Sequence, residues 1–363
     1  MVGSLLTPFT LGSLKLANRI VMAPMTRSFS PEGVPPPEVA DYYQRRAEAH
    51  VGLIVTEGTA IERPSAKNDP GVPHAYGEAA LAGWSRVVRA VHGAGGVIAL
   101  QLWHVGPRLD EKVKDWVAPP PVDTAGGLRH WDKPRLPAMT EEAIADTLAA
   151  YGRAAADAVR LGFDTVEIHA AHGYLIDDFF WGISNTRTDR WGGATLRERT
   201  RFGAEVVRAV KAAIPADMPL AMRLSQWKGL DFDAAVARTP GEMEEWLEPL
   251  AEAGVDIFHC SQRRFWEPTF AGSDLNFAGW AKKVTGRATI TVGSVGLNSE
   301  FIHGTVGEPA SLDEVLRRFD RGDFDLVAVG RALLADPHWF EKIRGGRHDE
   351  LGAYHPDAKK RLY

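Results

Sequence analysis

Two histidines, His169 and His172, stand with Tyr174 at the end of a short apolar run, DTVEIHAAHGY over 164–174. Imidazoles can donate hydrogen bonds to a developing negative charge. A phenol keeps its proton at neutral pH yet can deliver it to a strong base. Alternating Val166 and Ile168 read as a buried strand, which places the three polar groups at its carboxyl end. In a regular strand, residues three apart face opposite sides. His169 and His172 can therefore converge only if the backbone turns out of the sheet at Ala170 or Ala171, and Gly173 permits such a turn. The same pair could instead be ligands of a zinc ion in a metal-dependent hydrolase, with His104 or Glu57 completing the set.

Further groups with chemistry lie at the ends of other apolar runs: Pro24-Met25-Thr26, Glu57-Gly58, Gln101 with Trp103 and His104, Arg223, Gly293-Ser294 and Gly330-Arg331. Glycines let backbone N–H groups approach phosphate oxygens, serine adds a hydroxyl and arginine a bidentate cation. A hydroxyl, a glutamine amide and an arginine near such a phosphate site suit an aromatic heterocycle with several donors and acceptors. Flavin mononucleotide (FMN) fits that description.

The elements that must carry these groups follow from periodicity. A hairpin of residues 5–9 and 14–16 precedes apolar strands at 19–26, 52–61, 96–103, 164–174, 219–226, 256–262, 288–294 and 326–331. Helical patterns occupy 37–49, 80–92, 140–161, 196–214, 241–253, 277–284, 312–319 and 337–343, the third opening on Thr140 as N-cap with acids behind it. Eight strand-helix units with near-continuously apolar strands predict an α/β fold, a (β/α)8 TIM barrel with an N-terminal β-hairpin cap and long loops after strands 3 and 4, forming one domain over 1–363. An open doubly wound sheet is the alternative, and no GxGxxG follows the first strand to support it. In such a barrel, chemistry sits at the carboxyl ends of strands and phosphate near strands 7 and 8. The groups named above occupy those positions. The long, Pro- and Gly-rich segment 107–137 has the composition of a lid or binding loop.

Several segments in order resemble the Old Yellow Enzyme family of FMN-dependent ene-reductases on a TIM barrel: APMTR (23–27), QLWH (101–104), HAAHGYL (169–175), SNTRTDRWGG (184–193) and Gly330-Arg331. The resemblance implies that Pro24, Met25 and Thr26 lie against the flavin, with Thr26 near its C4 carbonyl. Gly58 would admit the ring edge, Gln101 would pair with the pyrimidine edge and Arg223 would sit by N1 and the C2 carbonyl. Gly293, Ser294, Gly330 and Arg331 would hold the phosphate. His169 and His172 would bind the substrate oxygen, Tyr174 would supply the proton, and Trp103 would either line the substrate or pack. Two histidines, where other members pair histidine with asparagine, suggest the bacterial branch. Near the carboxyl terminus, where the family often places a tyrosine over the site, Tyr354 is a loose candidate. The aromatic loop 264–270 is either a substrate cover or packing.

The activity implied is NAD(P)H-dependent reduction of α,β-unsaturated carbonyl or nitro compounds, with nitrate-ester or nitroaromatic reduction as the alternative on the same site. NADH and NADPH are not distinguished, because no dinucleotide motif is present. A net charge of -5 and a sequence pI ≈ 6.2 give no support for nucleic acid or an anionic membrane as partner. No run approaches a membrane span of ~20 apolar residues and no basic, then apolar, leader opens the chain, so a cytoplasmic enzyme is expected. The single cysteine, Cys260, excludes an intramolecular disulfide and a cluster held by four cysteines of this chain, and reads as core packing. Oligomeric state leaves no signal in the sequence.

Overall fold

The computed structural model describes residues 2–108, 123–126, 137–229, 231–300 and 304–363. Its central sheet is a closed parallel barrel. In chain order the strands are β3 (Ile20–Met22), β4 (Leu53–Val55) with its continuation β5 (Thr59–Ala60), β6 (Ile98–Trp103), β7 (Thr165–His172), β8 (Leu220–Lys228), β9 (Ile257–Ser261), β10 (Ala288–Val292) and β11 (Leu326–Val329). Each pairs with its neighbour, β11 pairs with β3, and the β4–β6 pairing closes the ring.

The amino-terminal hairpin pairs β1 (Phe9–Leu11) with β2 (Leu14–Leu16). Leu5, expected in it, belongs instead to a preceding 3-10 turn, Gly3–Leu6. Phe9, Leu14 and Leu16 join one buried cluster with inward residues of the barrel such as Val21, Leu53, Ala99, Ile257 and Leu326. The tip is seated by the Ser13 N–H on the Asp217 carbonyl at 2.8 Å, next to where β8 begins. Gly12, at φ 55°, is required there: a Cβ would fall 2.1 Å from that carbonyl oxygen. The hairpin thus plugs the amino end of the barrel and leaves the carboxyl end for chemistry.

Helices pack outside, among them α1 (Pro37–Glu48), α2 (Glu78–Gly93), α3 (Glu141–Leu161), α7 (Pro240–Ala253), α8 (Phe277–Thr285) and α9 (Asp313–Arg321). In α3 the Thr140 side chain accepts the Ala143 N–H, Ile144, Thr147, Tyr151, Ala154 and Ala158 form the buried face, and Gly162 at φ 90° ends the helix. The pattern expected over 196–214 is two helices, α5 (Leu196–Arg199) and α6 (Arg201–Lys211), which meet at Thr200. Two short helices were not expected: α4 (Leu175–Phe180), directly after Tyr174, and α10 (Arg331–Ala335), after β11, ahead of α11 (Trp339–Arg344). Both begin at a strand's carboxyl end, where a single turn has too little sequence period to read. Among the described residues no helix is long and apolar enough to cross a membrane.

Trp246 of α7 is fully buried, stacked on Phe277 with ring centroids 5.6 Å apart and edge-on to Phe180 of α4 at 5.7 Å. Trp246→Ala is expected to destabilise the fold by about 3–5 kcal/mol through the cavity it leaves. A urea titration should show the midpoint falling at unchanged slope; a loss below about 1 kcal/mol would mean that the shell repacks.

Candidate active site

His169 and His172 do converge, by a different route from the expected turn. β7 does not leave the sheet at Ala170 or Ala171; it stays paired with β8 to its last residue. The ladder slips instead. Ala170 pairs with Leu224 and His172 with Lys228, so two steps on β7 (172 − 170) match four on β8 (228 − 224). His172 then takes a left-handed backbone, φ 66°, followed by Gly173 at φ 80°. A non-glycine residue at such a φ is uncommon and needs outside support. It has that support: its N–H donates to Ser225 Oγ at 2.9 Å, and its carbonyl accepts from Gly229 N at 3.1 Å and Arg108 Nη1 at 3.2 Å.

The next turn is pinned as firmly. Asp177 accepts the Gly173 N–H at 2.6 Å on one oxygen and pairs with Lys228 on the other, both side chains being buried. Burial pushes the Asp177 carboxyl up and the Lys228 ammonium down, and each charge opposes the shift of the other. Three rings consequently meet. His169 lies edge-on to His172 at 5.1 Å and to Tyr174 at 4.9 Å, and His172 stands 6.4 Å from Tyr174. His172 stacks on Trp227 at 4.3 Å, Trp103 meets Tyr174 edge-on at 5.1 Å, and the Arg108 guanidinium sits 5.6 Å from the Tyr174 ring centre.

Burial and the nearby Arg223 charge hold the His169 imidazole well below its ordinary pKa. Burial, His169 and Arg223 do the same for His172. Both are neutral at pH 7, so each offers one N–H. His169 Nδ1 accepts the Ala171 N–H at 3.3 Å, which puts its own proton on Nε2.

His169 packs edge-on behind His172 and Tyr174, which face a cavity of ≈ 470 Å³ at the carboxyl end of the barrel. Its wall brings together Pro24, Met25, Thr26, His172, Tyr174, Arg223, Gly293, Ser294, Gly330 and Arg331. His169, Gly58, Gln101 and Trp103 are buried and are not part of that wall. Gly58 packs on Trp103, whose ring a Cβ would approach to 3.2 Å. Gln101 Nε2 donates to Glu167 Oε1 at 2.7 Å. At the opposite end, Arg331 Nη1 donates to Ser299 Oγ at 3.2 Å and Nη2 to Ser294 Oγ at 3.3 Å, while Ser294 itself is left-handed at φ 55°.

Several wall residues were not anticipated: Arg27, Arg108, Trp227, Ser261 and Arg263. Behind it, Glu167 and His259 form a fully buried pair with Glu167 Oε2 2.6 Å from His259 Nδ1. A signal for that pair did exist. Val166 and Ile168 pack in the outer core, so the intervening parity, Glu167 and His169, points inward with Gln101 and Arg223.

The hydrolase reading fails on its ligands. His104 Nε2 is 3.0 Å from Asp123, and Glu57 Oε2 accepts the N–H groups of Arg27 at 2.8 Å and Ser28 at 2.9 Å. Among the described residues no group of three His, Cys, Asp or Glu side chains is placed to hold a metal ion. Glu57 instead clamps the 24–28 loop, and burial raises its carboxyl to about 7. Phe265 and Phe270 are core residues, and none of 264–270 lines the cavity. Tyr354 is buried beneath Arg331, 5.5 Å from its guanidinium, and is also absent from the wall. Cys260 is buried, its thiol pushed well up, as packing requires. In 184–193, the Asn185 amide holds the Phe179 and Trp191 carbonyls and Arg187 holds Asp189, a loop-fixing network as expected. Of 107–137, residues 109–122 and 127–136 lie outside the described residues, and so does most of the expected lid.

Residues 4–350 match the model of the NADH:flavin oxidoreductase / NADH oxidase family. The chain is 35% identical over 348 residues to a chanoclavine-I aldehyde reductase of Penicillium roqueforti, covering 94% of this chain and 89% of that one. It is 33% identical over 358 residues to 12-oxophytodienoate reductase 7 of Oryza sativa subsp. japonica, covering 94% and 87%. It is also similar to a solved structure of morphinone reductase in complex with tetrahydroNAD, with a TM-score of 0.79 and 30% identity over 98% of this chain and 94% of that one.

Neutral imidazoles have a consequence for pH. A free histidine, pKa about 6.5, is mostly protonated at pH 6. Because both site histidines are held below that value, the affinity of an oxygen ligand is expected to stay level from pH 8 to pH 6. A rise in affinity toward low pH with a midpoint near 6.5, as imidazolium becomes the stronger donor, would show that they titrate within the fold.

Proposed function

The chain belongs to the NADH:flavin oxidoreductase / NADH oxidase family, and on that basis we propose that it reduces the activated C=C bond of α,β-unsaturated carbonyl or nitro compounds. FMN is its redox cofactor and NADH or NADPH its hydride source, as the family description and the nicotinamide-bound relative support. The residues present fit such a group. Arg223 is buried with Nε lacking a hydrogen-bond partner, and burial lowers its pKa to about 10, so an acceptor at that position would satisfy a stranded cation. Gln101 must turn its NH2 to the carboxylate of Glu167, which can only accept, and this leaves the amide oxygen for another donor.

Pro24, Met25 and Thr26 would lie along the ring, Gly58 at its edge, and Gln101 and Arg223 at its pyrimidine side. Gly293, Ser294, Gly330 and Arg331 would hold the phosphate. The chemistry the bound group supplies is hydride transfer, from nicotinamide to its N5 and from N5 to the β-carbon of the alkene. The chain's own residues do the rest. Negative charge grows on the activating oxygen as hydride arrives, and His169 and His172 would donate N–H bonds to it. In a buried site, one such donor is worth ~3 kcal/mol by analogy with an oxyanion hole. Tyr174 would protonate the α-carbon, a step worth a factor of ~10²–10⁴ when the acid is well placed.

The observation that carries this reading is the meeting of His169, His172 and Tyr174 within 4.9–6.4 Å of one another beside the cavity. The relatives' names, an aldehyde reductase, an oxophytodienoate reductase and a morphinone reductase, each contain a carbonyl compound and support the enone or enal over the nitro substrate. A nitro group could accept from the same two donors, and relative rates on an enone and a nitrate ester separate the two uses.

Tyr174→Phe is expected to slow alkene reduction by at least about tenfold while leaving reduction of the enzyme by NAD(P)H unchanged. Equal slowing in both half-reactions, followed by stopped-flow absorbance, would contradict its role as the acid. Arg331→Ala should weaken FMN retention by about ten- to a hundredfold, the loss of a charge-assisted pair. Unchanged affinity, measured by fluorescence titration, would remove Arg331 from the phosphate site.

A further inference from the structure

A line of polar side chains runs from buried Gln101, behind the cavity, to His172 at its wall. Beyond the Gln101–Glu167 bond at 2.7 Å and the Glu167–His259 contact at 2.6 Å, His259 Nε2 lies 3.5 Å from Arg223 Nη1. Arg223 Nη2 lies 3.4 Å from Ser261 Oγ, and Ser261 Oγ lies 2.9 Å from His172 Nε2. The line spans four adjacent strands in register, since Gln101 of β6 is the partner of Glu167 on β7, and Arg223 of β8 is the partner of both His169 on β7 and His259 on β9.

Its hydrogen bonds have one consistent direction. An ionised carboxylate only accepts and a guanidinium only donates. Glu167 therefore takes the Nδ1 proton of His259, and Arg223 needs the lone pair on His259 Nε2. His259 is thus neutral with its proton on Nδ1. The second Arg223 nitrogen likewise donates to Ser261 Oγ, which fills one lone pair of that hydroxyl. The hydroxyl keeps one lone pair and its one proton, and directing that proton at His172 Nε2, 2.9 Å away, is the arrangement that gives it an acceptor. A ring that accepts at Nε2 and is held neutral by burial carries its one proton on Nδ1.

We propose that Ser261 is a positioning residue that fixes the tautomer of His172, held in that sense by Glu167 and His259 through Arg223. His172 thereby presents Nδ1–H, and His169 presents Nε2–H, as the two donors of the site. The relay gives a reason for burying an acid, an imidazole and a guanidinium behind a cavity wall that only Arg223, Ser261 and His172 reach. It rests on the reading above only in assigning that Nδ1–H to the substrate oxygen.

The test uses the FMN-loaded, full-length protein labelled with 15N-histidine. Two-bond nitrogen–proton correlations report the tautomer of each ring, and the signals of His172 are assigned by their loss in His172→Asn. Wild type should show His172 as the Nδ1–H form alone. Ser261→Ala should admit the Nε2–H form, and Ser261→Thr, which keeps a hydroxyl, should restore Nδ1–H. An Nε2–H signature in wild type, or an unchanged Nδ1–H form in Ser261→Ala, would overturn the assignment. The dissociation constant of p-chlorophenol, read from the flavin absorbance, should rise about tenfold in Ser261→Ala and recover in Ser261→Thr. A tautomer change with unaltered phenol affinity would sustain the role of Ser261 and contradict His172 as the oxygen's donor. Weakened phenol binding in His172→Asn with no tautomer change in Ser261→Ala would overturn the relay alone.

Discussion

The left-handed backbone of His172, at φ 66°, is the constraint on which the site depends. A regular strand would send His169 and His172 to opposite faces of the barrel wall. The slipped pairing with β8 and the reversal at His172 bring both rings to one side, and Gly173 then drops the chain into α4 with Tyr174 at its entrance. Such a conformation costs on the order of 1–3 kcal/mol and persists only where its surroundings insist on it. Here Ser225, Gly229 and Arg108 bond its backbone, and Trp227, from the residues that β8 gains in the slip, stacks on its ring. The distortion of two strands makes the site and its support together.

A second constraint is electrostatic. The carboxyl end of the barrel buries Arg223, Lys228, Asp177 and Glu167, each of which would lose several kcal/mol of hydration if left unpaired. They are arranged in two groups. Asp177 and Lys228 neutralise each other under the His172–Gly173 turn. Glu167 opposes the charge of Arg223 through neutral His259, and its own carboxyl is held below its ordinary pKa because His259, Arg223 and Gln101 outweigh the burial that would raise it. The first group shapes the backbone. The second leaves Arg223 with a buried, unpartnered nitrogen beside the cavity, which suits an electron-rich ring edge.

Much of this was legible in the sequence because a parallel barrel writes its strands as apolar runs and places its chemistry where those runs end. The eight strand-helix units, the hairpin plug and the convergence at the ends of β3, β7, β8, β10 and β11 follow from that rule. What escaped was of three kinds. Short elements such as α4 and α10 lack the length to show a period, and the break between β4 and β5 depends on Glu57 reaching the backbone of Arg27 and Ser28, a contact across the fold. Polar residues on the inward faces stand out most where an apolar run ends. Glu167 and His259 sit inside their runs, level in register with Gln101 and Arg223, and only their inward parity marks them.

A flavin held in this cavity would pass its hydride to an activated alkene. The most direct measurement is anaerobic stopped-flow absorbance of the FMN-loaded protein, reduced with one equivalent of NADPH and then mixed with 2-cyclohexenone. The oxidised-flavin absorbance is expected to return in full with one equivalent of enone, with cyclohexanone as the product. Absorbance that stays bleached in the presence of enone, yet returns when oxygen is admitted, would contradict that transfer.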